Sequence, residues 1–589
     1  MSSIPDPKEK GNTSGNESDT GLSTAREDED TISPVPQPQD DSDDALAVIR
    51  SNARVEIIDN KPVFKPTREF LLAYSAICIL ALAIAFDATS LSVALPIIST
   101  ALGGTALEAF WSGTSFLLAS TVLQPTVASL SNIFGRKYMI YVTAALFAAG
   151  SLIAALGNNF TVLLVGRAIQ GVGGGGLLAL AEVVVTDLVP LAFRGNWLSL
   201  LSAMWSIGTV TGPLIGAGFA QNITWRWIFY INLPVIGIGM VFVVLFLNQA
   251  KIPGHILEKL GRFDWLGCFL FTASSTGFLF GLTTGGVMYD WGSWRVLLPL
   301  IIGPIGLAVF GYWEVKFARE PIIHRGIFNN RDLIVTYFMT VLHGMVLWSL
   351  LYFLPLYYQG VKFYSPVTSA VALLPQTLTV APAGAVVGII AGMTGHYRGS
   401  VWVGWFFTTF GAGLLLLLQP ETSTPAWIFL NIPVGVGTGM LFPAMGLTVQ
   451  AACDPMLNGQ AAAFFSFLRT FGQSIGVAVS GVIFQNVFKQ KLQAIPAYAP
   501  LAFEYSRDAT IVVDMINHMP NNQDRYDLIV AFNEALHNIW ISMIAFSAVA
   551  LVLSVAIKGY SLNQVHMTQQ ALIQAEKPER ESDPEKQTA

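Results

Sequence analysis

The sequence predicts an all-α polytopic membrane protein of about fourteen spans, two six-helix halves with two further helices inserted between them. Three observations predict it. Only 12% of the 589 residues are charged, against about 25% in soluble domains, while 53% are hydrophobic. The apolar residues fall in blocks of roughly 20, the length a helix needs to cross the bilayer. Asp, Glu, Lys and Arg barely enter those blocks, which excludes one oversized soluble core.

Taken in order, residues 1–68 are polar, Ser/Pro-rich and acidic at Glu27–Asp30 and Asp40–Asp44, so a disordered cytosolic tail is expected there. The N-terminal half (69–248) holds spans near 70–97, 109–131, 138–157, 161–187, 196–219 and 227–248. A linking pair (249–318) follows near 265–286 and 295–317. The C-terminal half (319–560) holds spans near 332–357, 366–391, 400–419, 426–450, 461–487 and 537–558, before a polar tail at 561–589. Cationic residues collect in alternate links: Arg136, Lys137, Arg194, Lys251, Lys259, Arg262, Lys316, Arg319, Arg325, Arg331 and Arg398 on one side. The short links on the other side hold only Arg226, Arg295 and Lys362, although the long 490–535 link adds Lys491, Arg507 and Arg525. The positive-inside bias therefore puts both termini in the cytosol. Three cysteines without a CxxC pair support neither a disulfide framework nor a metal site. Trp111, Trp225, Trp227, Trp291, Trp294 and Trp427 fall near span ends, where an interfacial belt is expected.

Chemistry concentrates in a few places. After the second span comes Ala128-Ser-Leu-Ser-Asn132-Ile-Phe-Gly135-Arg136-Lys137, a tight-turn glycine followed by two cations. A plain topology anchor would have the same residues. The fourth span carries Arg167 roughly 9 Å and the first span Asp87 roughly 15 Å from the same membrane surface by helical rise. The two therefore share a level of the bundle, and intramembrane ionisable groups mark function by default. Asp87 reads as a protonatable carboxylate tuned by Arg167, with a static buried pair or a helix cap as the other reading. Glu182 and His343 are further proton-coupling candidates, though a lone buried histidine is more often a packing residue. The run Gly171–Gly176 follows no strand and lacks the Lys-Ser/Thr ending of a phosphate loop, so helix packing explains it better and ATP hydrolysis is not expected. In the fifth span Gly208, Gly212 and Gly216 form one small-residue stripe beside Pro213, which bends the helix. Phe464, Phe465, Phe467 and Phe471 are candidate cavity or lipid-facing aromatics, and Asn222-Ile-Thr224 is a glycosylation sequon on the outer side.

The loop, the Arg167-Ala-Ile-Gln170-Gly171 segment and the glycine stripe, in this order on these spans, resemble the signature motifs of the major facilitator superfamily. Phe86-Asp87-Ala88-Thr89, Val93-Ala94-Leu95-Pro96, Thr186-Asp187-Leu188-Val189-Pro190, Trp225–Asn232 and Phe263-Asp264-Trp265-Leu266-Gly267 resemble the fourteen-spanner drug:proton antiporters, in particular fungal multidrug and toxin efflux pumps. The likeness covers about residues 70–558, carried after the ninth span by Arg469, Gly472, Gln473 and Gly476. It implies the major facilitator fold and proton-coupled efflux of small amphipathic molecules by alternating access. Gln170, Phe464, Arg469 and Gln473 become substrate-cavity candidates. Small molecules, protons and lipid are the expected partners of a monomer, with no enzymatic activity, cofactor, metal or nucleic acid. The plasma membrane is the expected location, with the vacuole as the other. Import of siderophore-type chelates, vacuolar amino-acid transport and non-transporting sensing are the rival readings. The chain departs from the family pattern at Ala128 and Asn132, where Gly and Asp are usual, and at Ala217, where Gly is usual. With Asn132 neutral, the loop's charge pairing must differ, and Asp187 is the available partner for Arg136.

Overall fold

In the computed structural model, residues 55–58, 61–91, 94–104, 106–286, 288–507, 509–568 and 570–572 are described. Among them, thirteen helices are long and apolar enough to cross a membrane, and a bent pair makes the fourteenth span. Spans 1 to 6 are Arg68–Ser90, the pair Trp111–Val122 and Gln124–Phe134, Arg136–Leu156, Phe160–Leu188, Leu191–Asn222 and Trp227–Phe246. Spans 7 and 8 are Trp265–Thr284 and Trp294–Lys316. Spans 9 to 14 are Arg331–Gly360, Pro366–Thr394, Arg398–Leu417, Thr424–Ala452, Pro455–Gln493 and Gln523–Val555. Side-chain oxygens start several of them: Thr67 accepts from Phe70 N–H, Asn159 from Val162 N–H, Asp264 from Gly267 N–H and Asn522 from Arg525 N–H. Span 2 bends by 43° at Leu123, where Pro125 lacks the N–H that a continuous helix would use.

Within the N-terminal half, small residues let backbones touch. A Cβ on Gly173 of span 4 would lie 2.8 Å from Phe147 Cα of span 3, and one on Gly171 would lie 3.1 Å from Phe116 Cα of span 2. The Gly171–Gly176 run is thus occupied by helix packing, as small-residue stripes are in lipid-embedded bundles. Between the halves, span 5 runs along span 10 and span 13 runs along spans 2 and 4. Spans 7 and 8 pack on each other, and span 7 also leans on span 13 through Phe271 on Phe467 and Phe278 on Phe471, and on span 2 through Phe280 on Trp111. The inserted pair therefore covers one flank of the seam between halves.

The structure departs from the sequence expectation in several places. The first span ends at Ser90, and a separate short helix, Leu95–Leu102, follows. Span 14 begins at Gln523 rather than near 537, because Asn533 and His537 satisfy their polar groups on Leu418 O. The outer link before it folds into helices Ala502–Arg507 and Ala509–His518, whose Val512 and Ile516 join the core. Trp225 and Trp427 are buried in the bundle, so they are not belt residues. Parts of both expected tails are ordered. Val55–Ile58 pairs antiparallel with Lys61–Phe64, and Phe64 packs on Phe70 and Phe193. At the other end, residues 556–572 lie against the bundle, with Leu562, Thr568 and Gln570 buried. Residues 1–54 and 573–589 of the expected tails lie outside the described residues. The described chain ends share one face of the bundle, here termed the tail face.

Candidate functional site

Asp87, on the next-to-last turn of span 1, is completely buried in the N-terminal half. Its Oδ2 accepts from an Arg167 guanidinium nitrogen at 2.7 Å, and its Oδ1 accepts from Gln170 Nε2 at 2.8 Å and Asn232 Nδ2 at 2.7 Å. Arg167 also donates to Gln170 Oε1 at 2.6 Å and to Ser112 O at 3.0 Å, and lies over the Phe116 ring at 4.3 Å. Gln170 Nε2 donates in turn to Ser151 Oγ at 2.7 Å. Spans 1, 2, 3, 4 and 6 thus meet on one carboxylate. An ion pair this deep persists because its carboxylate accepts three hydrogen bonds, one from the cation and two from amides. Span 5 supplies the backing. The stripe faces span 1, where a Cβ on Gly212 would lie 2.9 Å from Phe86 O and 3.2 Å from Ser90 N, the residues bracketing Asp87. Thr89 Oγ1 donates across to Gly208 O at 3.2 Å, and Gly216 meets Ser90 one turn further along beside the buried Pro213.

A second polar group joins the halves. Arg469 of span 13 reaches Glu182 Oε1 of span 4 at 3.2 Å and stacks over Phe442 at 4.4 Å. Gln124 of span 2 donates to Thr470 Oγ1 at 3.0 Å, and the buried Gln473 lies on the next turn of span 13. His343 stands apart from both groups. Its Nε2 donates to Thr438 O at 3.0 Å, and its ring meets Trp405 edge-on within the C-terminal half.

Toward the tail face the halves are shut. Gly195 of span 5 and Gly388 of span 10 touch so closely that a Cβ on Gly388 would lie 2.7 Å from Gly195 O. Ser199 Oγ donates to Gly384 O at 2.6 Å, and Arg194, fully buried, donates to Gln450 Oε1 of span 12 at 3.0 Å. Beside this closure Arg136 Nε lies 3.0 Å from Asp187 Oδ2, and its NH1 donates to Ser131 Oγ and Asn132 Oδ1, each at 2.6 Å. Asn132 therefore contributes a neutral acceptor, with Asp187 supplying the charge. Gly135 takes φ +101° at the turn, and Lys137 donates to Val244 O and Asn248 Oδ1 at 3.0 and 3.1 Å. Toward the opposite face, a narrow cleft with room for about one water lies between Thr114 and Leu117 of span 2, Leu279 and Thr283 of span 7, Tyr352 of span 9 and Val477 of span 13.

Of the cavity candidates, Phe464 lies among other aromatic rings. It packs edge-on against Phe328 and Tyr337 and beside Phe467, where it supports the inserted pair and stays away from the cleft. Phe467 and Phe471 are likewise taken up by spans 7 and 8. Gln170 belongs to the Asp87 cluster and not to the cleft wall. Asn222 is exposed at the end of span 5, on the face opposite the tails. Sequence reasoning missed Asn232, Ser151 and Arg194. A neutral amide or hydroxyl in an apolar block costs too little to stand out, though Asn232 closes the Trp225–Asn232 segment and Arg194 was visible as a cation at a span start.

Compared with known proteins, residues 77–271 and 267–477 match the family model described as Major Facilitator Superfamily. The chain is 48% identical over 541 residues to MFS transporter L2 of Phoma sp., covering 92% of this chain and 89% of that protein. It is 34% identical over 526 residues to efflux pump FUS6 of Gibberella moniliformis, covering 87% and 92% respectively. Among solved structures it resembles the human organic anion transporter MFSD10 with a TM-score of 0.53 and 14% identity, covering 83% of this chain and 100% of that one.

Proposed function

The chain belongs to the major facilitator superfamily, as an integral membrane transporter with efflux-pump relatives, and on that footing we propose that it exports small amphipathic molecules in exchange for protons. The substrate class proposed is drugs, toxins or secondary metabolites, and the membrane is the plasma membrane. The tail face is assigned to the cytosol by the excess of Lys and Arg in its links.

One observation carries the reading: a completely buried carboxylate, Asp87, is held by a cation and two amides next to the wall of a cleft. The connection runs through span 2. Ser112 O accepts from Arg167, while Thr114 and Leu117, on the following turn, line the cleft. A proton arriving on Asp87 from the outer side competes with Arg167 for the carboxylate and loosens the guanidinium. Arg167 then pulls differently on the 112–117 stretch, which changes the cleft wall and favours release outward. Loss of the proton toward the cytosol restores the ion pair and readies the cleft for another molecule. Opening the tail face breaks the contacts that close it, among them Glu182 with Arg469 and Arg194 with Gln450. A potential of 100 mV supplies about 2.3 kcal/mol per proton moved, enough for a useful concentration ratio. Widened by rocking of the halves, the cleft would present an apolar lining with hydroxyls from Thr114, Thr283 and Tyr352, the chemistry of a mostly apolar molecule with a few hydrogen-bonding groups.

The test is substrate-dependent proton movement in proteoliposomes, parent against Asp87→Asn. Coupling lost with substrate binding retained supports the reading. Equal coupling in both excludes Asp87 as the carrier, and binding without any flux in either protein favours a sensor.

A further inference from the structure

The segment after span 14 does not leave the bundle. It crosses the tail face from one half to the other. On the C-terminal half, Tyr560 Oη donates to Asp332 Oδ2 at 2.7 Å, Leu562 is buried against Tyr397 and Leu447, and Gln564 Nε2 donates to Ala451 O at 2.8 Å. On the N-terminal half, His566 Nε2 donates to Thr186 O at 2.9 Å and Thr568 Oγ1 to Asp187 Oδ1 at 2.9 Å. Gln570 then accepts from Arg136 N–H at 2.7 Å through Oε1 and donates to Ser131 O at 3.2 Å through Nε2. Two further bonds finish the strap, Gln249 Nε2 to Gln570 O and Ala250 N–H to Ala571 O, each at 3.0 Å.

Thr568 and Gln570 are buried although they sit in a polar chain end, and their partners Asp187, Arg136 and Ser131 are the loop groups beside the closure. Asp187 Oδ2 takes Arg136 and Oδ1 takes Thr568, so the strap completes the ligation of that carboxylate. A segment anchored on both halves across the face where they meet opposes their separation there. Side-chain bonds and the single backbone bond from Ala250 hold its N-terminal-half end in place, and such bonds can be given up one at a time to water.

We propose that residues 560–568 and 570–572 form a releasable strap that holds the tail-face gate shut, with Thr568 and Gln570 as its positioning residues. The proposal rests on the alternating-access reading, but it makes no use of Asp87 or of a proton gradient. Occupancy of the strap sets the fraction of molecules open to the tail face, and hence the rate at which substrate can enter from that side.

The experiment uses the purified full-length protein carrying Ser202→Cys. Ser202 is buried on span 5, facing Gly384 across the closed seam. Maleimide labelling of the peptide carrying residue 202 is followed by mass spectrometry, with no substrate or gradient present. Reading that peptide alone keeps Cys78, Cys268 and Cys453 out of the signal. Thr568→Ala with Gln570→Ala removes two side-chain anchors and is expected to speed labelling roughly tenfold. Thr568→Ser keeps the donor and is expected to label at the parental rate. A chain ending after Gln564 removes the N-terminal-half anchors altogether and is expected to label at least as fast as the double variant. Parental labelling in both the double variant and the shortened chain overturns the proposal, whatever Asp87→Asn does to coupling.

Discussion

Replacing Asp87 by asparagine exchanges one carboxylate oxygen for NH2 and leaves no fully satisfied arrangement. If the amide oxygen takes the Oδ1 position, it still accepts from Gln170 and Asn232, but its NH2 then faces the Arg167 nitrogen across 2.7 Å, donor against donor, with a buried cation uncompensated. If the oxygen turns to Arg167, the NH2 can donate to a flipped Asn232, whose oxygen is otherwise unpartnered, but it still faces the Gln170 Nε2 donor. Gln170 cannot flip to help, because its oxygen serves Arg167 and its nitrogen serves Ser151. Breaking a buried pair from one side costs about 3–5 kcal/mol, so Asp87→Asn is expected to lower stability by about that amount. Arg167→Met in the same chain removes the stranded cation and is expected to recover at least half of the loss, since an apolar replacement of a buried ion pair is often neutral. The assay is a two-by-two cycle, with equilibrium unfolding in detergent and proton-coupled flux in proteoliposomes read on the same four proteins. Stability is restored in the double variant and coupling is not. A loss below about 1 kcal/mol for Asp87→Asn would refute the ionised-pair geometry, being the size of one ordinary hydrogen bond. Coupled flux in the double variant would refute the assignment of the proton to Asp87.

Three other outcomes are expected. Gly212→Val puts methyl groups where Phe86 O already stands 2.9 Å from a single Cβ, so spans 1 and 5 separate and stability falls by about 1–3 kcal/mol or more, read as lost monodispersity and a lowered Tm. Leu279→Trp, on span 7, overfills the cleft and is expected to abolish flux of bulky substrates at a stability cost of about 1–3 kcal/mol, because Leu279 is completely buried, measured by transport against substrate size and by unfolding. The third concerns pH. Burial, and then the Arg194 guanidinium, hold the docked His566 below the ordinary value of 6.5, while Asp187 opposes this weakly. Docking thus favours the neutral ring, so its contribution is complete above about 6.5 and is lost as pH falls below that value toward the docked pKa. The protection factors of residues 562–572, corrected for the intrinsic pH dependence of amide exchange, should fall between pH 7.5 and 5.5 in the parent and lose most of that dependence in His566→Gln; a pH profile identical in both would refute it.

The spans were legible because charge is so costly in hydrocarbon that its absence marks them, and the same cost singled out Asp87 and Arg167. Their common depth followed from helical rise alone. What escaped was whatever depends on neutral polar groups. Asn232 and Ser151 complete the Asp87 cluster, yet an amide or a hydroxyl near a span end reads like any other. The start of span 14 was set too late because Gln523–His537 is polar, and only the fold reveals that Leu418 O receives those donors. Phe464 was assigned to the cavity because an aromatic at a given turn suits lipid, ligand or neighbour equally, and the neighbour came from a pair of helices remote in sequence. The strap escaped for the same reason. Each of its bonds ends on a group that the fold alone brings near.

The inserted pair has a consequence for how a lipid-dissolved molecule could reach the cleft. Two side entrances are conceivable in a pair of rocking bundles, one along each flank of the seam. Spans 7 and 8 wall off the flank between spans 2 and 13 with interlocked phenylalanine rings. The other flank is closed by spans 5 and 10 meeting at Gly195 and Gly388, with only the small Ser199 hydroxyl bonded across the contact. One flank is covered by two extra helices and the other is closed by a bare contact between spans, so the bundle has a front and a back within the plane of the membrane.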